Sequence, residues 1–471
     1  MELTIIGIVL GLLSILATIY FGRKGKTKPS SHSQISEQLP KLVSEGFHRT
    51  LTDLGISPQE SYEKIRKAIS KTHKEVGEAV LASIERAIDA LLNFRYPEAE
   101  RTYRSLVDLF PDVPELRLNL AEAYSLQGNL SQGEKELRLL IQMYPSYAVA
   151  HNNLGVTLFY LGRLNESREE FHIAKVIDPN DVTPFYNLGI LLTDEANIKD
   201  AIKEYNEAIR LKPDYAEAIV NLGIVLYNIG KLDEALKQFR KATENKLNNA
   251  KAHLGIAIIL ADKGNLQEAV EECRRAIQID PQLAQAHFNL GVALAGLRRW
   301  DEAIYEYETA LKLQPYYVGS HLNLGLILLF NQGKINEGIY HLKEAVRLQP
   351  ESEYLHVSLG SAFLTTKSID EAKKEYSEAI RINNKCAEAY IGLGNIRAFK
   401  GDLDGAIDEF KSAIKIRPSY GMAYSCLGTV FHIQGKLDAA IKFYKKALHL
   451  DPHDQTALLN LTKAQQELNK K

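Results

Sequence analysis

Residues 148–181 read AVAHNNLGVTLFYLGRLNESREEFHIAKVIDPND, and residues 182–215 read VTPFYNLGILLTDEANIKDAIKEYNEAIRLKPDY. Laid one above the other, they share a small residue at place 8 (Gly155, Gly189) and another at place 20 (Ser167, Ala201). Both carry a ring at place 24 (Phe171, Tyr205), Ala at place 27 (Ala174, Ala208) and Pro at place 32 (Pro179, Pro213). The two prolines are 34 residues apart, and the same ruler reaches outward to Pro111, Pro145, Pro281, Pro315, Pro350, Pro418 and Pro452. Residues 80–454 hold eleven units, ten of 34 residues and one of 35. Length alone would suggest about three domains. A constant period instead means one array of stacked supersecondary units.

The grid predicts the form of each unit. Place 20 is small in every unit, from Ala99 to Ala440. Place 8 is Gly or Ala throughout, and place 24 is large, from Tyr103 to Tyr444. Places 4, 7, 8 and 11 share one helix face, and 20, 24 and 27 share another. Between them stands a Gly at place 15 in several units (Gly128, Gly162, Gly230, Gly264, Gly401, Gly435), as a helix C-terminus requires. Each unit is therefore expected to be two antiparallel helices with a tight turn. Small residues at 8 and 20 bring the axes close, and the residue at 24 fills the space beside them. Proline at 32 ends the second helix. Leu247 and Asn384 replace it in two units, and the extra residue of the eighth unit falls near Asn331, Gln332 and Gly333, in the turn.

This pattern resembles the tetratricopeptide repeat family over roughly four-fifths of the chain. The resemblance implies an all-α, right-handed solenoid whose first helices line a concave side. The single Trp300 is not at place 4, where the family often has Trp; that place holds His151, His253, His287, His321 and His356. Residues 455–471 read as a lone first helix, the polar cap a solenoid needs.

Ahead of the array, residues 1–22 read as a membrane anchor. Leu3 to Phe21 is 19 residues without a charge, about 28 Å of helix, or one hydrocarbon core. Glu2 precedes it, and Arg23, Lys24, Lys26 and Lys28 follow, which places the repeats in the cytoplasm. A secretory signal would carry its basic residues in front and a small-x-small site behind. Gly7, Gly11, Ser14 and Thr18 lie with Thr4 on one face, a small-residue seam through which two anchors would pair as a homodimer. Residues 23–36 form a basic, polar linker. Residues 37–79 supply lead-in helices, the last starting at Pro58 behind an N-cap at Ser57, with apolar positions from Tyr62 to Ala79, and capping the first repeat.

Composition narrows the chemistry. Net charge is −2, from 57 Lys and Arg against 59 Asp and Glu, so nothing favours nucleic acid through bulk positive charge. The cysteines Cys273, Cys386 and Cys426 form no C-x-x-C pair and build neither a disulfide scaffold nor a zinc ribbon. The five histidines sit one per repeat, at a helix spacing of about 10 Å. A metal needs its donors within about 2.1 Å, so they read as rings packed between helices. No phosphate loop, nucleophile elbow or H-E-x-x-H is present. No enzyme activity, metal or cofactor is expected.

Place 6 carries the functional signal. It holds Asn119, Asn153, Asn187, Asn221, Asn289 and Asn323, with Asn460 in the cap. Place 6 lies off the stripe of 4, 7, 8 and 11. A carboxamide offers one acceptor and two donors, so it matches a peptide backbone independently of sequence. The row resembles the asparagine ladder in the repeat region of nucleocytoplasmic O-GlcNAc transferase; nothing here matches that enzyme's catalytic half. Place 9 flanks the row with Val156, Ile190, Ile224, Ile258, Val292 and Leu326, and place 12 adds Phe159, Tyr227 and Leu329. Together they predict a groove for an extended protein segment. The family's carboxylate clamp for acidic C-terminal tails is missing, since place 5 has no Lys in any unit. The expected function is a membrane-anchored scaffold that recruits partners. The alternatives are a cytosol-facing import or targeting receptor, and a regulatory subunit of an envelope or glycan enzyme.

Overall fold

The computed structural model describes residues 58–72, 78–244 and 249–469. The anchor with its Gly7, Gly11, Ser14 and Thr18 face, the linker, the helix expected from Glu37, and Leu247 lie outside the described residues. Among the described residues there are 24 helices and no strand. None of these helices is long and apolar enough to cross a membrane. The described residues fall into two compact blocks, one ending at Ile259 and the other beginning at Leu260.

In each block the chain alternates first and second helices at the expected period. Repeat 3 has Ala148–Tyr160 and Leu164–Ile177, and repeat 4 has Thr183–Asp194 and Ile198–Leu211. The grid explains the packing. The residues at places 20, 24 and 27 are buried, with Ser167, Phe171 and Ala174 all fully inside in repeat 3. A Cβ added at Gly155 would lie 2.6 Å from Cε1 of Phe171, and one added at Gly189 would lie 2.7 Å from Cε1 of Tyr205. In these repeats only hydrogen fits under the ring, whereas repeat 1 pairs Ala87 with the buried Tyr103. In repeat 8 the large residue is Leu342 and the backbones themselves meet: a Cβ at Gly338 would lie 2.8 Å from the carbonyl oxygen of Gly325.

Helix ends follow from the turns. Gly128, Gly162, Gly230, Gly264, Gly401 and Gly435 all have φ between +73° and +85°. Where place 15 is not glycine, Phe94, Ala196, Arg298 and Lys367 take φ of 58° to 61° instead. The helix pair thus imposes the left-handed turn even on residues that disfavour it. Side-chain caps are few: Asp402 accepts from the Gly405 N–H and Asp454 from the Ala457 N–H, both at 2.9 Å. Packing, rather than capping, sets most of the helix starts. Asn384 stands in the same turn as the prolines it replaces, after the helix Ile369–Ile382. The extra residue of repeat 8 lies in the turn, where Gly333 has φ +65°.

The array is closed at both ends. Ile65 and Ile69 of the helix Pro58–Thr72 are buried in one apolar cluster with Ile84, Ile88 and Leu91 of the first repeat. The expected helix begins at Pro58 and is described to Thr72; residues 73–77 lie outside the described residues, and Pro58–Thr72 packs on Glu78–Leu92, which places the isoleucines on the first repeat. At the other end Gln455–Leu468 buries Ala457 and Ala464 and leaves Leu458 and Leu459 exposed.

Candidate functional site

The place-6 asparagines are not one row of equivalent amides. They divide by the residue at place 24 of the repeat before. Asn119 follows Tyr103 and donates Nδ2 to its hydroxyl at 3.3 Å. Asn323 follows Tyr307 and does the same at 3.3 Å. Asn221 follows Tyr205 and donates to Tyr186 Oη at 3.3 Å; the Tyr205 hydroxyl is met first by Thr193 Oγ1 at 3.3 Å, with Asn221 beside it. Each of these tyrosines is fully buried or nearly so, and burial pushes its phenol far above the usual range. A buried hydroxyl needs a partner, and the next repeat's Asn supplies it. Place 6 is therefore a packing position at these junctions, which the helix-face argument did not foresee. Glycine at place 6 shows the same contact: a Cβ at Gly255 would lie 2.6 Å from Cζ of Phe239, and one at Gly392 would lie 2.4 Å from Cζ of Tyr376.

The other three asparagines follow Leu137, Phe171 and Cys273, which offer no hydroxyl. Asn153 is half-exposed and accepts from Asn152 Nδ2 at 3.3 Å. Asn289 is half-exposed and donates to the Gln285 carbonyl of its own helix at 2.8 Å. Asn187 is fully buried; it donates to Asn152 Oδ1 at 3.0 Å, while its own Oδ1 has no hydrogen-bond partner. Place 9 divides too. Val156, Ile224 and Ile258 are half-exposed and Val292 is exposed, whereas Ile190 and Leu326 are buried between helices. Of the place-12 side chains, Phe159 is half-exposed, and Tyr227 and Leu329 are buried.

Asn153 and Val156 line a cavity of about 160 Å³ between the first helices of repeats 2 and 3. Ala121, Leu137 and Thr157 form its buried floor, and Glu122, Leu126 and Tyr160 stand half-exposed at its rim. No reading of the sequence pointed to it.

Tetratricopeptide repeat models match residues 90–145, 220–284, 284–317, 354–386 and 422–454, and a further TPR model matches 191–230 and 394–435. Together they cover more than half of the 471 residues. The chain is a tetratricopeptide repeat protein. Similar solved repeat structures include the Cut9–Hcn1 hetero-tetramer of the APC/C, at 15% identity over 84% of this chain and 98% of that one, with a TM-score of 0.42. Yeast Tom70 is 17% identical over 83% of this chain and 96% of its own, with a TM-score of 0.41. YrrB, described as a TPR protein with an unusual peptide-binding site, is 21% identical over 40% of this chain and 97% of its own, with a TM-score of 0.32. No curated protein matches the chain significantly.

The histidines of this tetratricopeptide array hold repeats together. His151, His287 and His356 each meet a glutamate of the second helix through Nδ1, at 2.6 Å from Glu170, Glu306 and Glu375. Through Nε2 each meets the carbonyl of the preceding place-32 proline, Pro145, Pro281 or Pro350, at 2.9, 3.3 and 2.9 Å. At His287 and His356 the carboxylate and the carbonyl are both acceptors, so the pair of contacts favours a ring protonated on both nitrogens. Accordingly the hydrogen bond to glutamate raises the pKa of His287 and of His356. In repeat 8 the glutamate is replaced by His341, whose Nδ1 lies 2.9 Å from Nδ1 of His321. Burial and the neighbouring ring push His341 down to about 4. Among the described residues no group of three His, Cys, Asp or Glu side chains is placed to hold a metal ion. Burial pushes the three free thiols up to about 12, which leaves them protonated and weak as nucleophiles.

Proposed function

We propose that this protein is a binding scaffold rather than a catalyst. Its first helices take an extended protein segment, and residues 1–22 hold it to a membrane with the repeats in the cytoplasm. The observation that carries the reading is the set of amides and apolar side chains that the repeat packing leaves unused. In the block ending at Ile259, Asn153 is half-exposed, as are Val156, Ile224 and Ile258 at place 9; in the block beginning at Leu260, Asn289 is half-exposed and Val292 exposed. Amides for a backbone and apolar contacts for alternate side chains suit a segment held without strict sequence demand.

The test places a photoreactive residue at Ile224 in the full chain in membranes. Crosslinking to a protein is the expected result, and the double variant Asn153→Ala/Asn289→Ala should weaken capture severalfold with helicity unchanged. These two are the informative pair, because Asn119, Asn221 and Asn323 also hold tyrosines. A reactive Ile224 that captures no protein would sink the groove. Deleting residues 1–22 should release a helical protein from membranes; retention in the membrane fraction would refute the anchor.

A further inference from the structure

The cavity between repeats 2 and 3 has a cause in the grid. In repeats 5, 7 and 9 the ring at 24 lies on a glycine at 8 and reaches the next repeat's place 6, as Phe239 does at Gly223 and Gly255. Repeat 2 has Ala121 at place 8 and Leu137 at place 24. Leucine is shorter than a phenyl ring and stops below Asn153, so the space a ring would fill stays open toward the surface. At about 160 Å³ it matches one benzene-sized group, and it is too small for a drug-sized ligand or cofactor.

At the rim stands Glu122. Among the described residues its carboxylate has no hydrogen bond or ion pair, and loss of water around it pushes its pKa up to about 8. The phenol of Tyr103 senses its charge and that of Tyr160 lines the same cavity, and burial keeps both protonated. A half-exposed carboxyl so placed gains from an incoming cation, which adds to the stabilisation that partial burial reduces. The first helix of repeat 2 adds Glu115 against Arg117, and the first helix of repeat 3 carries His151 and no other charged group. Arg117 is already paired with Glu136.

We propose that this cavity takes one apolar side chain of an extended protein segment, with an adjacent Lys or Arg received by Glu122. The proposal rests on the groove reading above and names the anchoring residues of its ligand.

Ten-residue peptides carrying Leu-Lys, Leu-Glu or Ser-Lys at their centre, titrated into the full chain by fluorescence anisotropy, test it. The Leu-Lys peptide should bind at least tenfold tighter than either of the others. Its affinity should rise between pH 7 and pH 9, as Glu122 ionises while the peptide lysine stays charged. Glu122→Gln should erase both the Lys preference and that pH dependence while keeping the preference for Leu over Ser. The double variant Ala121→Gly/Leu137→Phe, which copies the filled arrangement of Gly155 and Phe171, should stay helical and lose the Leu preference. Three peptides of equal affinity, no binding by any, or a helical filled variant with unchanged discrimination would each overturn the proposal. The Ile224 crosslink then decides whether the groove falls with it.

Discussion

The junction between repeats 1 and 2 and the junction between repeats 2 and 3 occupy the same positions of the same grid. At the first, Tyr103 fills the space beneath the next helix and Asn119 bonds its hydroxyl at 3.3 Å. At the second, Leu137 stops short, Asn153 stays half-exposed, and a cavity opens beside Glu122. One substitution in the pattern turns an amide that completes the core into one left half-exposed. In a solenoid each repeat packs only on its neighbours, so such a change stays local and the array survives it.

The comparison can be broken most sharply at place 24. Tyr103→Ala should cost about 3–5 kcal/mol, because it empties a filled site and strands the Asn119 amide. Leu137→Ala should cost about 2 kcal/mol, since that side chain already borders open space. Urea unfolding followed by circular dichroism measures both, and equal losses would erase the distinction. At place 6 the effects are smaller. Asn119→Ala should cost about 1–2 kcal/mol for an unpaired buried hydroxyl, and Asn153→Ala less than about 0.5 kcal/mol. A larger loss at Asn153 would show it to be structural.

The histidine junctions sharpen the same lesson and should give the smallest effect. His287 and His356 have raised pKa values, so their contribution is full below the unfolded value near 6.5 and fades as pH rises through the folded one. His341 is depressed, so the folded state resists a proton that the unfolded chain accepts. Its junction weakens as pH falls from about 6.5 toward 4. His341→Glu, which restores the pairing of the other junctions, should raise the unfolding midpoint at pH 5 more than at pH 7.5. A midpoint lowered at pH 5 would contradict the assignment.

Much of this was legible in the residues. The 34-residue spacing, the small residues at 8 and 20 and the glycines at 15 are local demands of a helix, a turn and a close crossing, and the array meets them at the expected places. The non-glycine turns at Phe94, Ala196, Arg298 and Lys367 were less legible, because there the packed helix pair overrides the residue's own preference. The division of the asparagines was written in the sequence without being read from it. Tyr103, Tyr205 and Tyr307 each precede, by 16 residues, an Asn that meets them. A helix-face argument within one repeat cannot see a contact made to the repeat before.

The sequence by itself determined the repeat, its register and the helix pair, because these rest on periodicity and on residue size at fixed places. Only the tertiary structure decided which asparagines face outward, that Ile190 and Leu326 are buried, and that Leu137 leaves a cavity at Glu122. Those outcomes depend on how far a side chain reaches into the neighbouring repeat, and reach is a property of two packed surfaces rather than of one.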